Sequence, residues 1–138
     1  MCIRDSWHYR KKYADALSNL NKALEFQSDH IRALNYRCDL LATCPDASIR
    51  NGSQAIQDGQ AAIKLAKLAG RLDGAWFERM LNRLLAAAYA ENGEFDVAIE
   101  IEIESLKLAI TKSATRRINE HLEKYRNCQP IRSETGMR

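Results

Sequence analysis

The sequence predicts an all-α fold: an antiparallel array of helix hairpins closed by one further helix. Three observations point there. The chain has 138 residues but only 6 Gly and 2 Pro, so its breaks are few and its regular elements long. Apolar residues recur at steps of three and four along most of the chain, the period of a helix with one buried face. A fixed spacing also recurs, in which an aromatic residue or glycine is followed three positions on by a small residue and seven further on by another: Tyr13, Ala16, Ala23; Gly52, Ala55, Ala62; Phe95, Ala98, Ser105. Seven residues is close to two helical turns, so both small side chains lie on one stripe and let another helix approach closely.

Each element follows from local pattern. From Trp7 to about Gln27, Tyr13, Ala16, Leu17, Leu20, Ala23 and Leu24 share a face. The break "SDH" offers Ser28 or Asp29 as a cap for a helix over 31–43 that carries Leu34, Cys38 and Leu41 on one side. "CPDASIRNG" is a loop by composition, since Pro45 cannot sit in a helix interior and Asn51-Gly52 is a turn pair. A third helix spans 53–68 with Gly70 as its stop, and a fourth spans 75–91. Asn92-Gly93 reverses the chain into a fifth helix from Phe95 to about Thr111. There "VAIEIEIESLKL" alternates like a strand, but Ile99, Ile103, Leu106 and Ile110 also align at helical steps and no other strand candidate exists to pair with it. A last helix over 113–125 has a polar face and the short apolar stripe Ile118, Leu122 and Tyr125, which suits a cap on the array. Residues 126–138 show no periodicity and are expected to fray as a flexible tail.

The third instance of this spacing lies in "LLAAAYAENGEFDVAIE". Ala86 and Tyr89 lie on one helix, Phe95 and Ala98 on the next, and Gly93 permits the reversal between them. This arrangement resembles the tetratricopeptide repeat, a helix–turn–helix unit of 34 residues. "LLAAAYAENGEFDVAIEIEIESLKLA" is similar to one whole unit, "KKYADALSNLNKALEFQSDH" to the second helix of another, and "RALNYRCDLLATC" to an opening helix with Cys38 in its small-residue slot. The resemblance spans roughly 7–112 and implies a solenoid of about two and a half repeats with a C-terminal capping helix. The middle unit departs from the pattern: Ala16 to Ala55 and Ala55 to Ala98 both exceed the repeat length, and Gly59 stands where a large residue is usual. The loop "LATCPDASIRNG" and the late "YRNCQP" resemble features of large bacterial members.

The first six residues, "MCIRDS", resemble the translation of a sequencing adapter. On that reading residues 1–6 are an artefact, the domain covers 7–125, and the native N-terminus is missing. The repeat resemblance points the same way, because the first unit lacks its opening helix.

The chemistry-bearing residues form no constellation. There is no glycine-rich phosphate loop, no nucleophile beside a histidine and no ligand-spaced set of His and Cys, so the expectation is no enzyme, no cofactor and no metal. Of Glu100, Glu102 and Glu104, only the first and last share a helical face, and a solvated face is expected for them. His8, His30 and His121 are expected at the surface. A net charge of +3 scattered over the helices does not outline a nucleic-acid surface, and no apolar run is long enough for a membrane segment. A cytoplasmic location is the expectation.

The repeat resemblance implies a protein or peptide partner held in a concave groove lined by the first helix of each pair. The groove positions are Arg32, Asn35, Asp39 and Thr43 on one helix and Met80, Arg83, Ala87 and Glu91 on the next. The family's best-known site grips a C-terminal carboxylate with Lys and Asn. The matching positions Asn35, Tyr36, Asp39, Arg83, Leu84 and Ala87 include a wrong charge and two side chains without donors, so a mixed-charge or partly helical ligand fits better. Two functions follow: an interaction scaffold, or the C-terminal regulatory part of a larger enzyme such as a signalling kinase or peptidase.

Overall fold

The computed structural model describes residues 3–71 and 75–133. Those residues form α1 (Ile3–Phe26), α2 (Ile31–Thr43), α3 (Gly52–Leu68), α4 (Ala75–Glu91), α5 (Phe95–Leu106) and α6 (Lys112–Arg126), with no strand among them. The helix α1 runs without a break through residue 6, where the sequence places a boundary.

Side-chain caps start three of the helices, α2, α3 and α6. Asn51 accepts from the Gln54 N–H at 3.1 Å and Thr111 from the Ala114 N–H at 3.1 Å. For α2 the cap is His30, whose Nδ1 accepts from the Ala33 N–H at 3.1 Å, rather than Ser28 or Asp29. Each such bond satisfies an otherwise orphaned donor and is worth about 1 kcal/mol.

Three helices stop in the same way. After α3, Gly70 has φ +66° and the Arg71 N–H reaches back to the Ala66 carbonyl at 2.9 Å. After α4, Gly93 has φ +82° and Glu94 N–H donates to the Tyr89 carbonyl at 2.9 Å. After α6, Cys128 takes the left-handed position at φ 54°, and Gln129 N–H donates to the Lys124 carbonyl at 2.8 Å. This six-to-one bond is the Schellman stop, and Pro130 follows where the helix cannot resume. A side chain in the left-handed region costs roughly 1–2 kcal/mol, part of which glycine returns as unfolded-state entropy. Cys128→Gly is therefore expected to raise stability by about 0.5–1 kcal/mol in urea unfolding. An unchanged or lower midpoint would remove strain at Cys128 from the account.

The helices pack on their neighbours in sequence, and α2 also lies against α4. Cys38, Leu41, Ala42, Ala55, Leu84, Ala87 and Ala88 form one cluster. Leu24, Ala33, Leu34, Ala62, Ala66 and Leu81 form a second, and Ala86, Ala90, Ala98 and Tyr125 a third. Tyr13 sits with Leu40 and Cys44, and Ala16, half-buried, packs against this group. Alanine dominates these seams, so backbones approach closely and dispersion contacts are dense. Gly59 belongs to the same design: a Cβ built there meets Leu85 Cδ1 at 3.0 Å and Cys38 Sγ at 3.3 Å. The position that departs from the repeat pattern is thus the point where α3 passes α4.

Four expectations are corrected. Ala23 is exposed, because α1 packs chiefly on α2 and turns Leu20 and Leu24 inward instead. The helix expected to reach Thr111 ends at Leu106, because Lys107 N–H turns back to the Glu104 carbonyl and Thr111 is taken as the cap of α6. Ile110 is then 84% exposed, and the buried stripe of α5 is Ala98, Glu102 and Ser105. Finally, within the expected flexible tail, Ile131, Arg132 and Ser133 return to the helices. Residues 134–138 lie outside the described residues.

Candidate partner-binding groove

The parallel run of α2 and α4 leaves an open furrow between them. Its wider part is a cavity of about 890 Å³ lined by Arg32, Asn35, Tyr36, Asp39, Met80, Arg83 and residues at the starts of the two helices. Asn35 is buried at its floor, Tyr36 stands 58% exposed at its edge, and Asp39 and Arg83 are half-buried in its wall. Met80 packs partly into the core beneath. Asp39 and Arg83 place opposite charges on one polar surface, and the Leu84 side chain between them is apolar.

At the other end the furrow narrows to about 180 Å³ between Thr43, Leu84, Ala87 and the chain's own Ile131, Arg132 and Ser133. The Ser133 N–H donates to the Thr43 carbonyl at 2.8 Å, and the two hydroxyls lie 2.7 Å apart. Thr43 Oγ1 also lies 2.8 Å from the Asp39 carbonyl and 3.1 Å from its Oδ1. Arg132 forms an ion pair with Glu91 Oε2 at 2.7 Å. Ile131 packs against the cluster of Ala86, Ala90, Ala98 and Tyr125. Glu91 holds a second cation, since Arg50 Nε donates to its Oε1 at 3.0 Å while Arg50 Nη1 donates to the Cys44 carbonyl at 2.7 Å. One carboxylate therefore ties the 44–51 loop, α4 and the returning segment together. Thr43 and Glu91, expected to face a partner, are engaged by the chain itself, whereas Arg32, Asn35, Asp39, Met80 and Arg83 line the open part.

The packing positions read from the repeat lie as follows. Cys38, Ala55, Ala62, Ala86 and Ala98 are fully buried. Tyr89 and Phe95 are half-buried against the third cluster, and the Tyr89 hydroxyl accepts from Gln60 Nε2 at 2.8 Å. The Cys38 thiol donates to the Leu84 carbonyl at 3.6 Å, and burial, with the charges of Asp58 and Asp39, pushes its pKa well up. It stays a neutral thiol.

Sequence reasoning missed a second concavity of about 420 Å³ between α4, α5 and α6. Arg79, Arg83 and Arg117 line it together with Glu102, Ser105 and His121. Glu102, expected on a solvated face, is 1% exposed, and its Oε1 lies 3.2 Å from His121 Nδ1. His121, expected at the surface, is half-buried because it covers this carboxylate. Ser105 Oγ and the Tyr125 hydroxyl are buried with no hydrogen-bond partner among the described residues. Burial and then the Glu102 charge raise the Tyr125 pKa, which Arg83 opposes. The carboxylate–imidazole pair has the composition of a proton-handling dyad, but among the described residues no hydroxyl is hydrogen-bonded to the imidazole. The only sequence signal for it was the break in α5 amphipathicity at Glu102.

No helix among the described residues is long and apolar enough to cross a membrane. No family model, no curated protein and no solved structure matches this chain.

Proposed function

We propose that the chain is a tetratricopeptide-like solenoid and a protein-interaction module, binding a segment of a partner protein in the furrow between α2 and α4. The observation that carries this reading is the furrow itself: polar and apolar groups alternate along an open channel, and an extended piece of polypeptide already lies across its narrow end. Neighbour-on-neighbour packing, with α2 also touching α4, supports the solenoid, as does the full burial of Ala55, Ala62, Ala86 and Ala98, although Ala16 is half-buried and Ala23 exposed. Such a surface holds a peptide through main-chain hydrogen bonds and charge pairing, and needs no reacting group.

The test places a photo-crosslinking amino acid at Tyr36, beside the furrow, and at Lys64, an exposed position on α3. Crosslinking to a partner is expected from position 36 and not from 64. Arg83→Glu with Asp39→Arg is expected to reduce the yield by about tenfold or more, on the order of 1.4 kcal/mol of lost binding. Helix content by circular dichroism should be unchanged. Undiminished crosslinking in that double variant would sink the groove assignment.

A further inference from the structure

We propose that residues 130–133 are a resident, displaceable ligand of the groove's narrow end, and that this end accepts an extended partner peptide with an apolar residue, an arginine and a hydroxyl in that order. The inference rests on the groove reading above and specifies the chemistry of its occupant. Four contacts carry it. Ile131 packs against the apolar cluster of Ala86, Ala90, Ala98 and Tyr125. Arg132 meets the Glu91 carboxylate at 2.7 Å. The Ser133 N–H reaches the Thr43 carbonyl at 2.8 Å, and its hydroxyl meets Thr43 Oγ1 at 2.7 Å.

The segment binds as a peptide would, not as a core element would. It has no helical or strand hydrogen bonds of its own, its side chains stay half-exposed, and one main-chain bond, one hydroxyl bond, one ion pair and the packing of Ile131 hold it. The residues under it remain organised without it: Glu91 keeps Arg50 as a partner at 3.0 Å, and Thr43 Oγ1 stays within 2.8 Å of the Asp39 carbonyl. Release therefore leaves Glu91 with one of its two cations, at Oε1, and uncovers Oε2 for an incoming cation. What would replace the segment must match the same three features, because Glu91 calls for a cation and the Thr43 carbonyl for a donor.

A tethered ligand competes at the effective concentration set by its short connection to α6, about the millimolar range. A free peptide with an intrinsic Kd of about 0.1 mM would bind the intact chain roughly tenfold more weakly than a chain whose segment is undocked.

The experiment uses the full chain and a fluorescein-labelled, end-capped peptide of sequence Gln-Pro-Ile-Arg-Ser, read by fluorescence anisotropy. Arg132→Glu, which repels Glu91 and undocks the segment, is expected to bind the peptide about tenfold tighter than the unaltered chain. Glu91→Arg in the otherwise unaltered chain, which repels Arg132 and so also undocks the segment, should abolish binding of that peptide and confer binding of the peptide with Glu in place of its Arg. Should Arg132→Glu fail to keep its helix content, Ser133→Pro removes the N–H without touching charge and should show the same gain. Equal affinity in the unaltered chain and in the undocked variant that folds, or no binding to either, overturns the proposal. If crosslinking from position 36 persists in that case, the groove reading survives and the segment is only a cover. If crosslinking fails as well, the groove reading falls with it.

Discussion

Arg37→Met is expected to destabilise the fold by about 3–5 kcal/mol in urea unfolding, one of the two largest effects expected of any single substitution here. Arg37 grips Asp58 with two parallel bonds, Nε to Oδ2 and Nη2 to Oδ1, each 2.7 Å. A third donor, Nη1, reaches Asn21 on α1 at 3.1 Å, and Gln54 Nε2 reaches Asp58 Oδ1 at 3.1 Å. One guanidinium thus bridges α1, α2 and α3. The hydrogen bond to Asp58 is also the main reason the Arg37 pKa is raised. Asp58 is only 2% exposed, so removing the arginine leaves a carboxylate with neither its cation nor water. The double variant Arg37→Met with Asp58→Leu should recover most of the loss, since it removes the stranded charge as well. A single variant within 1 kcal/mol of the unaltered chain would show that Gln54 and solvent suffice to hold Asp58.

Ala98→Trp should lower stability by about 3 kcal/mol or more. Ala98 is fully buried among Ala86, Ala90 and Tyr125, where α4, α5 and α6 meet. An indole has no place there without parting α5 from α4, and Ile131 lies on the same cluster, so the returning segment should loosen with it. Thermal unfolding together with the crosslinking yield from position 36 would separate a purely local cost from one that spreads to the groove. A harmless substitution would deny Ala98 its packing role.

How much of this was legible beforehand varies with the range of the interaction. Helical periodicity and punctuation are local, and they located the helices: Pro45, Asn51, Gly70 and Gly93 act within a few residues of themselves. The same local logic failed at the end of α5, because Thr111 fits a helix interior as a letter but acts as a cap once α6 must start there. Pairings between elements left no trace. Asp58 looks like any exposed helix acid until Arg37, 21 positions away, is seen against it. Glu102 interrupts the apolar stripe of α5, but nothing in the sequence names His121 as the group that covers it. Residues lining both parts of the furrow were among those named from the sequence, but the segment that covers its narrow end was not. Nothing in "QPIRS" says that it returns to Thr43, because apolar content and periodicity are both too low to announce an element.

The bond between Ser133 and Thr43 joins positions 90 apart, whereas the helices meet mainly their neighbours along the chain. Contacts between neighbours close short loops and form quickly, and the rate at which a domain folds follows how local its contacts are. The helical array can therefore assemble by local steps, with this one closure added at the end. Order of assembly then becomes a source of timing. During synthesis α2 and α4 emerge and pack before residues 130–133 exist, so the furrow is first presented open. If the furrow binds a partner as proposed, one present at that moment meets no competitor, while one arriving later waits for the segment to lift.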